Sequence, residues 1–387
     1  MPKAHASSPS HTQQLLGQLI GAPGSTKPEL CERTGLPVST VYNAISSLLN
    51  HGLIQEMGAA TSSGGRCPMQ YHVNNSLGVV VAVSIRLQHI TAGVFDLLGN
   101  ALLTRQVDMA CAGFGPESYT GELAQLVLSL LEQAHQPLPC LGVGVTVPGP
   151  VQEGSGVVYQ ISGAPGWRQF PLQSRLQEAL GMPVIVEKDV YAAIQYLHRS
   201  GQLRARHCSV CLSICEGIGA AVIIDGKVFR GVNSLVGEIG HLTVRRDGIP
   251  CNCGNTGCLE LYCSDIGIVK QYNDHSGAHC THVDEVVALV RSGDETAARV
   301  LSQAIRYLVD TTATIIMSYN PEELLIYCRW LDQEKKLYFR MLDTLYAKSL
   351  FTQQQAMNIR LLSQMPIHLN AAASMAQYEL LMGLCGK

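Results

Sequence analysis

Residues 237–260 carry the most specific pattern in the sequence and read GEIGHLTVRRDGIPCNCGNTGCLE. One imidazole and three thiols fall within eighteen residues of this stretch, at His241, Cys251, Cys253 and Cys258. Three thiolates with one imidazole form a ligand set for tetrahedral zinc, and the intervening glycines permit the tight reversals that bring the sulfur atoms together. Because four protein ligands leave no open coordination position, the pattern predicts one structural Zn²⁺ per chain rather than a catalytic ion.

Cysteine usage elsewhere in the chain is typical of a reduced protein. The sequence holds 14 cysteines, and its first 14 residues are polar, without the apolar core of a signal peptide. Ordinary burial explains isolated thiols such as Cys111, Cys140 and Cys328, and we interpret Cys263 as a packing residue. Burial does not explain three cysteines within eight residues. We therefore expect a cytoplasmic protein with a metal site and no disulfide framework.

Length and composition limit the class of protein further. With 387 residues, of which 47% are hydrophobic and 15% charged, the chain suits two or three packed domains and is too apolar to be disordered. No run approaches the ~18 consecutive apolar residues of a membrane helix, so we expect no membrane insertion. Four basic and three acidic side chains give residues 1–75 a charge of +1 within a total of −3. Charge alone therefore does not predict nucleic-acid binding.

The segment Thr26-Lys27-Pro28-Glu29 is typical of a helix start. The threonine oxygen can accept a backbone N–H three residues on, the glutamate can reach back, and proline is tolerated in the first turn. This helix is predicted to end near Thr34, with Gly35 as its C-cap. Leu36-Pro37 then turns the chain into a second helix, whose buried face is marked at helical spacing by Val41, Ile45, Leu48 and Leu49.

Two helices joined by a short glycine-containing turn predict a DNA-binding helix-turn-helix, and residues 53–56 follow as the first strand of a wing. The exposed face of the second helix carries short polar side chains that suit phosphates and base edges. The candidate DNA contacts are Thr26, Ser39, Thr40, Tyr42, Asn43, Ser47 and Arg66. The Ser/Gly-rich residues 61–68 are either a flexible linker or an arm that lowers Arg66 into a minor groove. A helical hairpin used for dimerisation is the alternative to DNA binding.

From Leu77 the sequence becomes α/β, and one strand–turn–strand unit occurs twice, about 130 residues apart. In the first unit we predict strands at 78–85, 90–96, 101–107 and 141–147, with a helix near 117–134. In the second unit we predict strands at 208–214 and 220–224, followed by a tight turn at Asp225-Gly226. The repeat predicts a two-lobed fold with a cleft between the lobes, which is a usual place for a small ligand.

Together with residues 237–260, further motifs make the chain resemble the ROK family (repressor, open reading frame, kinase) over nearly its whole length. These motifs are Val147-Pro148-Gly149-Pro150, Gly166-Trp167 and Val186-Glu187-Lys188-Asp189. Members of that family are sugar kinases of the actin-like ATPase (ribonuclease H-like) fold or sugar-responsive repressors with an N-terminal winged helix.

The resemblance implies an α/β fold class with three parts. A winged helix-turn-helix domain with its linker is expected at 1–75, and a first lobe at 76–190, completed by a C-terminal helix at 370–387. The second lobe is expected at 191–369, with the zinc motif and an oligomerisation surface.

The resemblance also implies that the nucleotide half of the cleft has degenerated. Family kinases have Asp-x-Gly-x-Thr in the first phosphate loop and Gly-Thr-Gly-x-Gly in the second, whereas residues 84–88 read SIRLQ and residues 215–219 read CEGIG. Residues 327–329, YCR, stand where a Gly-Gly admits adenosine. Glu216 in the second loop would repel a polyphosphate by roughly 1 to 4 kcal/mol. We therefore predict no kinase activity and a vestigial catalytic base at Asp189; an active ATP-dependent sugar kinase with an added DNA-binding domain is the alternative.

The sugar half of the cleft is partly kept. The resemblance implies ligand contacts from Lys188, Asp189, Glu238, His241 and Glu260. Lys188 replaces an amide of the family and Gly163 replaces an asparagine, so Lys188 either pairs with Asp189 and fills the pocket or attracts an anionic sugar derivative. Glu238 and Glu260 have an alternative role in orienting the zinc ligands.

These expectations combine into a cytoplasmic transcriptional repressor of carbohydrate metabolism. Its expected partners are palindromic double-stranded operator DNA, a sugar or sugar-derivative effector, and further copies of itself in a homodimer or homotetramer, since two-fold sites mirror two-fold proteins. Some family repressors bind a membrane sugar transporter component, so such a protein is an alternative effector. A ligand-blind DNA-binding or scaffold protein, its cleft plugged by Lys188, is the remaining alternative.

Overall fold

The computed structural model describes residues 10–59, 68–203, 207–347, 357–362 and 367–385. They form a small N-terminal domain followed by two α/β lobes in contact with each other. No helix within these residues combines the length and the apolar character needed to cross a membrane.

The N-terminal domain contains three helices and a small antiparallel sheet. Its elements are α1 (His11–Gly21), β1 (Ser25–Thr26), α2 (Lys27–Thr34), α3 (Val38–Asn50), β2 (Ile54–Ala59) and β3 (Met69–Val73). The capping box of α2 forms as the sequence predicts, because one carboxylate oxygen of Glu29 accepts the Thr26 backbone N–H at 2.7 Å. Gly35 ends α2 with a left-handed φ of 67°.

Helix α1 is a helix that the sequence analysis does not predict. Ser10 caps its start, since the Ser10 hydroxyl accepts the Gln13 N–H at 3.2 Å and the Gln13 side chain accepts the Ser10 N–H at 2.9 Å. The helix buries Leu15, Leu16 and Leu19 in the core of the domain. The sequence analysis missed α1 because its apolar residues come after a polar stretch at the N-terminus.

The segment between β2 and β3 includes residues 61–68, which the sequence analysis interprets as either a flexible linker or a minor-groove arm. Strands β2 and β3 pair antiparallel, with Ile54 opposite Val73, so the residues between them join two strands of one sheet. Arg66, the candidate minor-groove residue, lies outside the described residues. The connection to the body is instead the short turn at Asn75–Leu77.

The first lobe contains a five-stranded sheet of order β10-β7-β4-β5-β6 and a separate hairpin, β8–β9. Its elements are β4 (Val79–Ile85), β5 (His89–Asp96), β6 (Ala101–Asp108), α4 (Pro116–Ala134), β7 (Cys140–Val147), β8 (Val158–Ile161), β9 (Ala164–Phe170), α5 (Leu172–Leu180), β10 (Val184–Lys188) and α6 (Asp189–Arg199). Strands β4 to β6 form an antiparallel meander, and β7 and β10 add in parallel beside β4.

The second lobe repeats this topology in a sheet of order β13-β12-β11-β14-β15. Its elements are β11 (Cys208–Ile214), β12 (Ile218–Ile224), β13 (Lys227–Val228), α7 (Glu260–Cys263), α8 (Asp265–Ser276), α9 (Val283–Arg291), α10 (Glu295–Tyr319), β14 (Glu323–Cys328), α11 (Arg329–Gln333), α12 (Lys335–Tyr346), β15 (Asn358–Leu362) and α13 (Ile367–Cys385). An antiparallel meander again precedes two parallel strands. The duplication predicted from the sequence is therefore present.

Helix α13 returns to the first lobe and packs on β4 and β7. The approach is close, because a Cβ on Gly144 would lie 2.3 Å from the Ala372 carbonyl oxygen. Strand β4 is buried along its full length. Val79, Val81 and Val83 belong to the core of the first lobe, whereas Val80 and Ala82 belong to a core shared with α13 and the N-terminal domain.

Candidate functional site

A cavity of about 220 Å³ lies between the two lobes. All five residues that the sequence analysis assigns to ligand binding line it, together with Arg86 of the first phosphate loop. The structure therefore brings together Lys188, Asp189, Glu238, His241 and Glu260. Lys188 ends β10, Asp189 begins α6, and the other three come from the segment that follows β13 in the second lobe.

Lys188 is paired across the cavity with Glu238 of the second lobe. Its ammonium group donates to Glu238 Oε1, and its side chain is only 5% exposed. The ammonium also lies 5.1 Å from the centre of the Tyr191 ring, a cation–π distance. The pairing of Lys188 with Asp189, one of the two alternatives for this residue, is therefore wrong, although Lys188 does occupy the pocket.

Asp189, which the sequence analysis predicts to be a vestigial base, is paired with a different cation. Its Oδ2 lies 3.3 Å from Arg86 Nη1, and both side chains are largely buried. Burial raises the pKa of the Asp189 carboxyl, an effect that the Arg86 guanidinium opposes. A carboxylate held by a guanidinium is a poor acceptor for a substrate hydroxyl proton.

Charged side chains join residues 84–88 to residues 215–219. Arg86 Nε lies 3.9 Å from Glu216 Oε2, and the same oxygen accepts the Leu87 backbone N–H at 3.1 Å. Burial lowers the pKa of Arg86, but the Cys215 thiol and the carboxylates of Asp189 and Glu216 raise it overall, so the guanidinium stays charged. An ion pair therefore lies between residues 84–88 and residues 215–219.

The third segment that the sequence analysis compares with the family kinases, residues 327–329, lies at the end of β14. Tyr327 and Cys328 complete the strand, and Arg329 begins α11 with its guanidinium 3.1 Å from Asp284 Oδ2. Nearby, burial raises the pKa of Asp265 to about 7, opposed mainly by Arg329. The Asp265 carboxyl also has one buried oxygen without a hydrogen-bond partner.

The predicted metal ligands come together into one cluster. Cys253 Sγ lies 3.7 Å from Cys258 Sγ, Cys251 Sγ lies 3.8 Å from His241 Nδ1, and all four donor atoms lie within 4.8 Å of one another. Two sulfur atoms bound at about 2.3 Å to a tetrahedral zinc are about 3.8 Å apart. The donor set and its spacing therefore fit such an ion.

The backbone around the cluster requires glycine at one point. Gly257 has a φ of 72°, and a Cβ there would lie 1.6 Å from the Arg245 carbonyl oxygen. This close approach places Cys258 beside His241, whose carbonyl oxygen accepts from the Cys258 thiol at 3.5 Å. The other ring nitrogen of His241, Nε2, faces Glu238 Oε2 at 4.0 Å, so the imidazole touches both the metal cluster and the cavity.

Helix α3 presents most of the predicted DNA contacts on one face. Its buried side consists of Val41, Ala44, Ile45 and Leu48. On the other side Ser39, Tyr42 and Asn43 are exposed, and Thr40 and Ser47 are half-buried.

The structure differs at two residues from the predicted set of DNA contacts. Thr26 is not part of it, because its side chain is buried and its hydroxyl donates to Glu29 at 2.9 Å. Lys27, which the sequence analysis did not select, places its ammonium 3.9 Å from the centre of the Tyr42 ring. Its position in the capping box gave no sign of this contact.

A helix-turn-helix domain joined to a duplicated α/β body with a central cleft defines the class of protein. Residues 80–376 match the ROK family and residues 10–57 match the IclR helix-turn-helix domain. The chain belongs to the ROK family. The helix-turn-helix and the kinase-like α/β body predicted from the sequence are both confirmed.

Individual relatives include regulators and kinases. The chain is 28% identical over 313 residues to the xylose repressor of Bacillus subtilis (strain 168), covering 81% of this chain and 80% of the relative. It is 31% identical over 215 residues to a glucokinase of Streptomyces coelicolor, covering 55% of this chain and 65% of the enzyme. A solved ROK family transcriptional regulator, a homolog of the E. coli MLC protein, superposes with a TM-score of 0.74 at 22% identity. That likeness covers 97% of this chain and all of the solved one.

Proposed function

We propose that this protein is a sugar-responsive transcriptional repressor whose cleft senses a ligand and does not phosphorylate it. The observation that carries the proposal is the pairing of Arg86 with Asp189 and Glu216 in a chain that also has a helix-turn-helix domain. The relatives that cover about four-fifths of the chain are named xylose repressors.

The charges in the cleft support the proposed absence of kinase activity. A phosphoryl transferase needs backbone N–H groups and cations around the phosphates and a free base beside the sugar hydroxyl. Here the Leu87 N–H is taken by Glu216, and Asp189 is paired with Arg86. A triphosphate would have to displace Glu216 and meet its negative charge.

We propose a neutral monosaccharide as the effector. Among the described cavity residues, Arg86 and Lys188 both hold carboxylates already, and Lys270 lies 3.1 Å from Asp274. An anionic sugar derivative would have to separate one of these ion pairs. The cavity is also smaller than the ~300–1,000 Å³ of sites for drug-sized ligands, which suits a single sugar ring.

The contacts to such a sugar are proposed at the His241 side of the cavity. Glu238 Oε2 and His241 Nε2 are 4.0 Å apart and lie on the cavity wall. Glu260 lies on the same wall and accepts the Ile218 N–H at 3.0 Å, and its carboxylate is proposed as a further contact for a sugar hydroxyl. Lys188 and Asp189 would contact the sugar only after their ion pairs rearrange.

We propose that the cluster of His241 and the three cysteines binds one structural Zn²⁺. Its role would be to hold residues 241–258 in the shape that turns His241 Nε2 toward the cavity. The metal would then support the sugar site without taking part in a reaction.

The assembly on DNA is proposed to be a homodimer or homotetramer on a palindromic operator. A sugar transporter component remains the proposed alternative effector. In either case, the effector can shift operator binding only by its different affinity for the bound and free conformations.

The test is a selection of genomic fragments from the source organism by the purified full-length protein, followed by footprinting and a thermal-shift screen of neutral sugars, sugar phosphates and sugar acids. We expect protected palindromic sites, a higher Tm with a neutral sugar and a change in operator affinity with the same sugar. The Tyr42→Ala/Asn43→Ala double variant should lose the footprint, whereas the control Gln177→Ala, on the exposed side of α5, should keep it. Fragment binding without any preferred site would contradict the proposal.

The glucokinase match favours one second candidate, an active sugar kinase carrying a DNA-binding domain. That candidate predicts sugar-dependent ADP release that is lost in Asp189→Asn. We expect no such release from the wild-type protein.

A further inference from the structure

Helix α6 is the element that touches both the cavity and the DNA-binding domain. Lys188 precedes its first turn and Asp189 begins it, and both line the cavity. Its last residue is Arg199, so its 11 residues span about 16 Å. One helix therefore connects the ligand site to the far side of the body.

The far end of α6 supports the N-terminal domain through a backbone contact. A Cβ added to Gly21, the last residue of α1, would lie 2.2 Å from the carbonyl carbon and oxygen of Arg199 and 2.6 Å from the Ser200 nitrogen. Glycine at position 21 permits this contact, and any larger residue would force the two helices apart. Movement at the end of α6 is therefore passed to α1 without a flexible side chain between them.

Helix α1 also contacts the first lobe. A Cβ on Gly17 would lie 2.9 Å from the Tyr378 ring of α13, and the Arg199 guanidinium stacks on the same ring at 4.0 Å. Leu16 of α1 shares a buried core with Val80 of β4. The N-terminal domain is thus seated where α6 and α13 meet, rather than held by a linker.

The two supporting helices pack mainly on different sheets, although Ala371 and Met375 of α13 also lie in the core that α6 forms with the second sheet. Helix α6 packs on the second sheet, where its residues share a core with Cys211, Ala221 and Ile223. Helix α13 packs on β4 and β7 of the first sheet. A change in the angle between the lobes must therefore slide α6 against α13, directly beneath α1.

The cavity end of α6 is held by three consecutive charged residues, each with a partner of opposite charge. Glu187 pairs with Arg230 and Lys188 with Glu238, and both of these partners belong to the second lobe. Asp189 pairs with Arg86, which in turn reaches Glu216 of the second lobe. A ligand that draws Glu238 or Asp189 away from its cation would change these ion pairs, and with them the position of α6.

We propose that α6 transmits occupancy of the cavity to the DNA-binding domain, with the ion pairs of Glu187, Lys188 and Asp189 as its input and the Gly21–Arg199 contact as its output. This inference rests on the proposed sugar-responsive function. It adds the physical route by which the ligand acts on the recognition helix. The effect is transmitted by one helix moving between two lobes, and α1 is the part of the DNA-binding domain that responds.

The test needs neither sugar nor DNA. Hydrogen exchange of α1 amides is measured in full-length protein, with Arg86→Ala as the perturbation at the cavity end of α6. We expect the substitution to change the exchange of α1 amides at least three-fold more than it changes the exchange of the amides of α4, which is remote from α6. In a Gly21→Ala background α1 exchange should already be fast and should no longer respond to Arg86→Ala.

The matched control is Gly121→Ala, because Gly121 is also helical but a Cβ there meets nothing within 4 Å. Its α1 amides should respond to Arg86→Ala as in wild type. If Gly21→Ala prevents folding, Tyr378→Ala is the substitute, because it removes the contact between α13 and α1 without adding a clash. It should reduce the change in α1 exchange that Arg86→Ala causes. Unchanged α1 exchange in Arg86→Ala, or an equal change in the Gly21→Ala background, would overturn the inference.

The result of the exchange experiment can be distinguished from the result of the test of the proposed function. Loss of α1 coupling with intact operator footprints would remove the route through α6 and leave the repressor assignment standing. Coupling without any specific DNA site would instead support the helical route and contradict the assignment as a repressor.

Discussion

The ion pairs of Arg86 predict that removal of its charge lowers the free energy of unfolding. We consider Arg86→Met, which keeps most of the side-chain volume and removes the charge. The guanidinium lies 3.3 Å from Asp189 and 3.9 Å from Glu216, and the three side chains are between 12% and 21% exposed. With an effective dielectric constant of about 20, these separations correspond to attractions of about 5 and about 4 kcal/mol.

The net loss of unfolding free energy is smaller than these attractions, because the cost of desolvating the charges offsets part of them. Removing one partner of a buried ion pair costs about 3–5 kcal/mol, since the remaining charges stay buried and uncompensated. We expect the lower end, about 3 kcal/mol, because the groups keep some contact with water. For a unit of 150–250 residues this corresponds to a fall in Tm of roughly 6–12 °C.

The assay is thermal unfolding followed by circular dichroism and calorimetry at pH 7.5. Arg86→Lys should lose less than Arg86→Met because it keeps the charge, and Arg86→Met/Glu216→Gln should recover part of the loss by removing one orphaned carboxylate. The control is Arg175→Met, whose salt bridges on α5 are exposed and should contribute little. A Tm for Arg86→Met equal to or above that of the wild type would refute the reasoning.

Three further predictions concern the other sites. Tyr42→Ala/Asn43→Ala should weaken specific DNA binding by ~1–3 kcal/mol per lost base contact in a fluorescence-anisotropy titration, and unchanged affinity would remove α3 as the reading helix. Cys253→Ser should lose bound zinc by mass spectrometry and lower the Tm, while Cys140→Ser, outside the cluster, should keep the metal; an equally stable, metal-free Cys253→Ser protein would argue against a structural ion. Asp265 has a folded pKa of about 7 against an ordinary 3.8, so its burial costs nothing at low pH and destabilises the fold increasingly as pH rises from about 4 to about 7. Asp265→Asn should therefore raise the free energy of unfolding at pH 8 by up to about 4 kcal/mol and have little effect at pH 4, and a pH-independent difference would contradict the assignment.

Local patterns predicted much of this molecule because their causes are local. The capping box at Thr26 and Glu29, the C-cap at Gly35 and the strands at 79–85 and 208–214 follow from residues close together in the chain. The cysteine spacing places three potential ligands within eight residues, so the loop alone determines that they meet. The same reasoning missed α1, whose apolar residues lie behind a polar start and pack against parts of the chain that are distant in sequence.

The pairing of charges could not be read from the chain in the same way. Lys188 and Asp189 are neighbours in sequence, which made their mutual pairing a reasonable alternative. Their side chains nevertheless face different partners, because one residue ends a strand and the next begins a helix. Glu216 likewise accepts the Leu87 N–H from 129 residues away.

By itself, the sequence determined many of the helices and strands, that the α/β unit is duplicated, that a helix-turn-helix precedes it and which four residues could bind a metal. Those properties depend on hydrogen bonds and apolar spacing within short segments. Only the tertiary structure decided that Arg86 bridges Asp189 and Glu216, that β2 pairs with β3 and that Gly21 rests on Arg199. These contacts join residues from separate elements, and their geometry exists only after the lobes and the N-terminal domain have packed together.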